Sequence, residues 1–301
     1  MKVALTGATG FIGRYIAADL VQQGHRLRCW YRPSSDRSGF EHLEGVIEWV
    51  EGDLARSDSC QDLVAGCDAV AHAAWHHPGG GFQGGEGDPV EFVEKNVVGT
   101  IRLIEAARQA GAGRFVFLST CAVHGKILDD RPLDETHPLW ATSHYGAHKA
   151  AIEKCVHSYG LGFGYPICAL RPTGVYGVAR PAHSSRWFDL VSVVVRGETV
   201  NCRDGGEEVH AVDVAKAVRI LLSADGIVGE AFNCCDRYVS QYEVATIAKR
   251  ISGSPSQIVG QQTFPKHQIV TAKLRALGME FGGQELLERT SEALVEAAKG
   301  E

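Results

Sequence analysis

Tyr145 and Lys149 stand four residues apart in the run Tyr145-Gly146-Ala147-His148-Lys149, so a helix here carries a phenol and an ammonium on one face. Such a pair can move a proton. A phenol ionises near pH ~10, and lowering that by ~3 units takes ~4 kcal/mol of preference for the phenolate. One cation at ~4 Å, at an effective dielectric of ~20, supplies about that much. Lys149 is therefore expected to bring Tyr145 within range of acid–base work. Upstream, Phe115-Val116-Phe117-Leu118-Ser119-Thr120 reads as a strand that delivers hydroxyls at its carboxyl end, where ligands of open parallel sheets bind.

The second constellation is a phosphate cradle. Thr6-Gly7-Ala8-Thr9-Gly10-Phe11-Ile12-Gly13 follows an apolar strand and opens a helix, the context a dinucleotide fingerprint requires. Gly7 permits the tight turn, Gly10 lets backbone approach a pyrophosphate, and Gly13 lets the helix pack on the sheet. The helix N-terminus adds N–H donors and positive potential. Where a carboxylate would grip a ribose 2′-hydroxyl, the second strand instead ends Trp30-Tyr31-Arg32-Pro33-Ser34-Ser35. A cation and two hydroxyls suit a 2′-phosphate, so NADP is expected ahead of NAD. Asp53 and Leu54, after the third strand, either approach the adenine or form an ordinary turn.

The elements that must place these groups alternate. Val3–Leu5, Arg26–Tyr31, Ala69–His72, Phe115–Ser119 and Ile167–Arg171 read as strands, and Phe11–Gln23, Val93–Ala110 and Tyr145–Tyr159 as helices. This is an α/β pattern: a Rossmann doubly wound parallel sheet with a smaller mixed α/β substrate-binding part. The dinucleotide-binding part is expected over 1–172 plus about 207–235, because Val209–Ser223 and Ala231–Cys234 look like a return to the sheet. The substrate-binding part takes about 173–206, with a helix near Phe188–Arg196, and 236–301, ending in the amphipathic helix Glu285–Lys299. Pro78–Pro89 holds six glycines and is expected to be a mobile loop.

Composition excludes several classes. With a formal charge of −6 and no Lys/Arg-rich block, no nucleic-acid partner is expected. The N-terminal apolar run is too short for a signal peptide and no run of ~18 apolar residues occurs, so no membrane partner and a cytoplasmic location are expected. Nine scattered cysteines lack metal-ligand spacing and read as reduced thiols. His72, His76, His77, His144 and His148 lack acidic partners at ligand spacing, so no metal is expected.

Taken together, Thr6–Gly13, His72-Ala73-Ala74, Asn96 with Gly99-Thr100, Ser119-Thr120 leading to Val123-His124-Gly125, Tyr145 with Lys149, Leu170-Arg171-Pro172, Val175-Tyr176-Gly177 and His210-Ala211-Val212-Asp213-Val214 resemble one family. The chain is similar over nearly its whole length to the extended short-chain dehydrogenases/reductases of the NAD-dependent epimerase/dehydratase family. The resemblance implies that Thr120 orients a substrate alcohol, with Ser119 as structural neighbour, and that Tyr145 is the acid/base. It implies that Lys149 also bonds the nicotinamide ribose, that the His72-Ala73-Ala74 backbone and Asn96 line the cofactor, and that Pro172 abuts the nicotinamide. It further implies a homodimer through the helices at Val93–Ala110 and Tyr145–Tyr159.

Two departures narrow the expected substrate. Nucleotide-sugar members carry an arginine shortly before the segment matching His210, whereas this chain has Glu207-Glu208-Val209, which would repel a diphosphate. A free sugar, a sugar acid or another small polar alcohol therefore competes with a nucleotide sugar. Trp75, Arg180, Arg186 and Arg203 are candidate substrate contacts. Dehydratase relatives place Asp-Glu after the catalytic hydroxyl, but Cys121-Ala122 follow Thr120, which disfavours dehydration and leaves an oxidoreductase or an epimerase. The alternative from another class is a non-catalytic regulator that senses NADP through the same fold.

Overall fold

The computed structural model describes residues 1–43, 45–79 and 84–300. In chain order the first elements are β1 (Lys2–Thr6), α1 (Phe11–Gln22), β2 (Arg26–Tyr31), β3 (Ile47–Glu51), α2 (Ser57–Val64) and β4 (Ala69–His72). There follow α3 (Pro89–Val93), α4 (Gly99–Gln109), β5 (Phe115–Leu118), α5 (His144–His157), β6 (Ile167–Pro172), β7 (Gly174–Tyr176), α6 (Phe188–Val195), β8 (Val200–Cys202) and β9 (Gly205–His210). The chain closes with α7 (Ala211–Leu221), β10 (Glu230–Cys234), β11 (Arg237–Ser240), α8 (Gln241–Ser252), β12 (Ile258–Gly260), α9 (Ala272–Ala276) and α10 (Gly283–Lys299).

The backbone divides into two compact units, the first comprising 1–172, 214–234 and 271–279. Its seven strands form a parallel sheet in the order β10-β6-β5-β4-β1-β2-β3. The order reverses between β1 and β4, so their carboxyl ends diverge into the crevice where doubly wound sheets take ligands. Every residue of β4, β5 and β6 is buried, as expected for strands covered on both faces. Leu103, Ile104, Phe115, Phe117, Ile152 and Val156 share one core, tying α4 and α5 to β5. Burial of each such side chain contributes ~1.5–3 kcal/mol, and this core fixes the helix that carries Tyr145 and Lys149.

The second unit comprises 173–213, 235–270 and 280–301. It contains a three-stranded sheet in the order β11-β9-β7 and the parallel pair β12-β8. Val191, Val194, Val244, Ile247, Leu287 and Leu294 join α6, α8 and α10 around its own core. Ser240 accepts a hydrogen bond from Glu243 N at 3.0 Å to start α8, and Gly253, at φ +68°, ends it.

The division differs from the sequence-based one at two places. Residues 207–213 belong to the second unit, because β9 pairs with β7 and β11 rather than with the large sheet. Residues 271–279 belong to the first, where Lys273 bonds Glu230 and, at 2.8 Å, the Ala231 carbonyl. The helix expected over Val93–Ala110 contains a π-turn at Glu94–Val98. Within the glycine-rich run, residues 80–83 and the mobility expected of them lie outside the described residues. No helix among the described residues is long and apolar enough to cross a membrane.

Candidate active site

Gly7, at φ +73°, turns the chain out of β1 so tightly that a Cβ there would lie 2.8 Å from Ala74 N. A Cβ on Gly13 would fall 1.9 Å from the Gly7 carbonyl oxygen, so only glycine lets α1 start this close to the strand end. A Cβ on Gly10 would meet nothing nearer than that same oxygen, at 3.3 Å, which leaves the turn's outer side open to a ligand. Among the described residues no side chain caps α1 and its first turn holds no acid, so the N–H groups of Phe11, Ile12 and Gly13 are left for a ligand. These features fit a dinucleotide pyrophosphate.

The strand ends beside the cradle are locked together. The Thr6 hydroxyl accepts hydrogen bonds from Ala73 N (3.1 Å) and Ala74 N (3.0 Å), which occupies both its lone pairs. Its proton therefore goes to His72 Nδ1 (2.7 Å), and His72 Nε2–H goes to Thr100 Oγ1 (2.9 Å). Burial, with Lys149 adding to it, pushes His72 down to about 3, so the ring is neutral. His72 thus offers a cofactor only its backbone. The Asn96 amide is likewise committed, donating to His76 O (2.9 Å) and accepting from His76 N (2.8 Å), so it pins the loop after β4 and does not reach outward.

At the end of β2, Arg32 is exposed and caps a small turn, its N–H donating to Ser35 Oγ (2.9 Å). Arg14, on α1, grips Ser38 O and Asp36 O at 2.7 Å each, while Arg37 lies 4.5 Å from the Tyr31 ring centroid. Asp53 accepts from Ala55 N at 2.8 Å, the turn-forming reading of that residue, and Leu54 is buried.

Thr120, Tyr145 and Lys149 are brought together. Gly146 follows the phenol, and a Cβ there would lie 2.5 Å from Ala122 O, so its absence lets the first turn of α5 touch the Thr120–Ala122 turn. Ser143 caps α5 by accepting from Gly146 N (3.1 Å). Tyr145 hydrogen-bonds the Thr120 side chain. Thr120 Oγ1 also accepts from Ala122 N at 3.1 Å. Lys149 is 4 % exposed, donates to Leu118 O at 2.6 Å and lies 3.9 Å from the Trp75 ring centroid.

The charge state corrects the spacing argument. Burial raises the Tyr145 phenol above its ordinary range, opposed by the Thr120 hydrogen bond, and burial lowers Lys149 to about 7. The ammonium is 5.9 Å from the phenol ring centroid because it reaches past it to Leu118 O and Trp75. As the chain folds, Tyr145 is protonated, the form that donates a proton to a carbonyl.

Two acids missed in the sequence lie beside this group. Glu153, eight residues after Tyr145, takes both its oxygens to buried Arg171 (2.6 Å at the closest) and accepts from Ser119 Oγ. The eight-residue spacing, two helical turns, was the signal available for it. Glu86 lies by the start of α5, where hydrogen bonding to backbone, including that of Tyr145, lowers its pKa. Ser119 is thereby structural, and Pro172 is buried at the end of β6.

In the second unit Arg186 is ion-paired to Glu208, whose side chain is 1 % exposed; burial raises that carboxyl to about 7, with Arg186 opposing. The expected repulsion from Glu208 is thus partly neutralised within the protein. Arg180 and Arg203 are exposed.

A glycine cradle at the switch point of a parallel sheet, with Tyr and Lys on the helix before β6, defines a nicotinamide-dependent enzyme of the extended short-chain dehydrogenase/reductase class. Residues 3–235 match the NAD dependent epimerase/dehydratase family, and the chain belongs to it. It is 30% identical over 249 residues to the trifunctional UDP-glucose 4,6-dehydratase/UDP-4-keto-6-deoxy-D-glucose 3,5-epimerase/UDP-4-keto-L-rhamnose-reductase of Arabidopsis thaliana, covering 77% of this chain but 36% of that protein. The match to the UDP-glucose 4-epimerase of Corynebacterium glutamicum is 26% identical and covers 89% of this chain and 90% of that one. The crystal structure of Thermus thermophilus UDP-glucose 4-epimerase in complex with NAD superposes with a TM-score of 0.77 at 24% identity, over 100% of this chain and 99% of that one. Membership in a family of enzymes sets aside the regulator reading.

Proposed function

We propose that this enzyme interconverts an alcohol and a carbonyl on a sugar, sugar acid or nucleotide sugar, as an epimerase or a dehydrogenase. The observation that carries the reading is the Thr120 side chain within hydrogen-bonding reach of Tyr145, with Lys149 buried one turn along the same helix and 5.9 Å from the phenol ring centroid. In the oxidising direction Tyr145 Oη accepts the hydroxyl proton, and in the reducing direction it returns one to the carbonyl oxygen. Thr120 Oγ orients that oxygen. Lys149, when charged, favours the phenolate and offers hydrogen bonds to a ribose. Bound nicotinamide supplies the hydride acceptor or donor and, when oxidised, a further positive charge.

NADP(H) is the proposed form of the cofactor, held at its 2′-phosphate by Arg32 with Ser34 and Ser35. Exposure of Arg32 beside a turn built on Ser35 supports this. For Arg32→Ala, calorimetry should show NADP(H) binding ~10–100-fold weaker with NAD(H) little changed; equal losses for both would remove the 2′-phosphate contact. A homodimer through α4 and α5 is proposed on the exposure of Val90, Val93, Leu161 and Phe163 near their ends, and a reducing cytoplasmic setting on nine unbridged cysteines.

The deciding experiment on function assays wild type and Tyr145→Phe against a panel of sugars, sugar acids and nucleotide sugars. Turnover of at least one by the wild type, lost in the variant, is expected. Nucleotide that stays with the protein through purification would favour the epimerase, and freely exchanged nucleotide the dehydrogenase.

A further inference from the structure

Among the described residues no carboxylate is hydrogen-bonded to Lys149. On its own helix it faces Tyr145 one turn before and Glu153 one turn after, and both Glu153 oxygens are taken by three hydrogen bonds from Arg171, with Ser119 adding a fourth. From β4 it faces His72, neutral and committed to Thr6 and Thr100. From β5 come the Leu118 carbonyl, 2.6 Å away, and the Phe117 ring, 4.7 Å away. The nearest approach of all to an aromatic face is to Trp75, on the loop after β4, at 3.9 Å.

The indole is itself fixed. Its ring centroid lies 5.8 Å from that of Phe92 and 5.6 Å from that of Tyr145, both rings near perpendicular to it, and the next residue, His76, is clasped by Asn96. An aromatic face carries negative quadrupole charge, and an ammonium above it in a dry site gains more than it would in water. We propose that Trp75 is a positioning residue for the proton-handling pair: its indole face keeps Lys149 an ammonium and holds it over the Leu118 carbonyl. The inference rests on the reading of Tyr145 and Lys149 as that pair. Burial draws Lys149 toward neutrality and the Glu153 charge opposes it; the indole face, 3.9 Å away, adds to that opposition, and without a charged Lys149 the phenolate of Tyr145 loses the cation on its own helix.

The test separates the ring's electrostatics from its bulk, because leucine keeps an apolar cover and removes the quadrupole while phenylalanine keeps a weaker one. NMR titration of the full-length protein labelled at lysine Cε, with the Lys149 signal assigned by its loss in Lys149→Arg, reads the charge directly. Trp75→Leu should lower the Lys149 midpoint by about one pH unit and Trp75→Phe by less, matching a desolvated cation–π contact. For alcohol oxidation, the acid limb of kcat/KM should move to higher pH in Trp75→Leu and back toward wild type in Trp75→Phe.

An unchanged midpoint in a folded Trp75→Leu protein overturns the proposal, and so does a raised one, which would make the indole a water excluder only. Should Trp75→Leu not fold, the absence of any fall in Trp75→Phe overturns it equally. Turnover that survives Tyr145→Phe would instead remove the acid–base reading, while the lysine titration would still decide the role of Trp75.

Discussion

Each side chain at this site is defined by what already occupies its bonding capacity. His72 and Asn96 sit in the family's recurring motifs, yet their polar atoms are spent on Thr6, Thr100 and His76. Tyr145 and Thr120, by contrast, touch each other at the end of the sheet. Tyr145→Phe should therefore lower kcat by ~10²–10⁴-fold with the cofactor dissociation constant nearly unchanged, measured by steady-state kinetics beside fluorescence titration; a comparable loss of cofactor affinity would show the phenol to be a binding group. The pair was legible in the sequence because i and i+4 share a helix face. Its electrostatics were not, since spacing cannot show that Lys149 turns toward Leu118 O and Trp75 rather than toward the phenol.

At the scale of elements, α5 is held to the sheet by a buried ion pair as well as by apolar contact. Arg171 on β6 and Glu153 on α5 are 2 % and 1 % exposed, so deleting one charge strands the other in the core. Glu153→Gln should cost ~3–5 kcal/mol in chemical denaturation and loosen the placement of Ser119; a loss under ~1 kcal/mol would mean that water or another anion replaces the carboxylate. Gly13→Ala forces a methyl against the Gly7 carbonyl and should cost about 2 kcal/mol or more, along with most cofactor affinity. The strands and helices of the first unit were readable because parallel strands buried on both faces appear as unbroken apolar runs. In the second unit the strands carry little periodic signal, and Gly205–His210, with two glycines and two acids, gave no sign that it pairs with β7 and β11, so residues from about 207 were expected with the large sheet. The start Ser240-Gln241-Tyr242-Glu243, a capping box before α8, was a signal present and unused.

Over the whole molecule, stability should fall with acid. His72, His124 and His210 are held by burial at about 3, about 4 and about 4, below the ~6.5 of an unfolded chain. Between these values the unfolded state binds more protons, so stability drops as pH falls through 6.5 toward 4, by up to ~1.4 kcal/mol per pH unit per histidine. Glu208, raised to about 7, works the other way: its folded form binds the extra proton, so its contribution declines as pH rises from the ordinary carboxylate range to 7. Three histidines outweigh one carboxyl, and the melting temperature should fall between pH 6.5 and 5; a flat or rising profile would mean that these rings are solvated. The bare start of α1 has a thermal corollary. Its uncapped N–H groups are a debt that a doubly charged guest settles, so dinucleotide-loaded protein should melt higher than stripped protein, gaining ~1.4 kcal/mol for every tenfold excess of nucleotide over its dissociation constant.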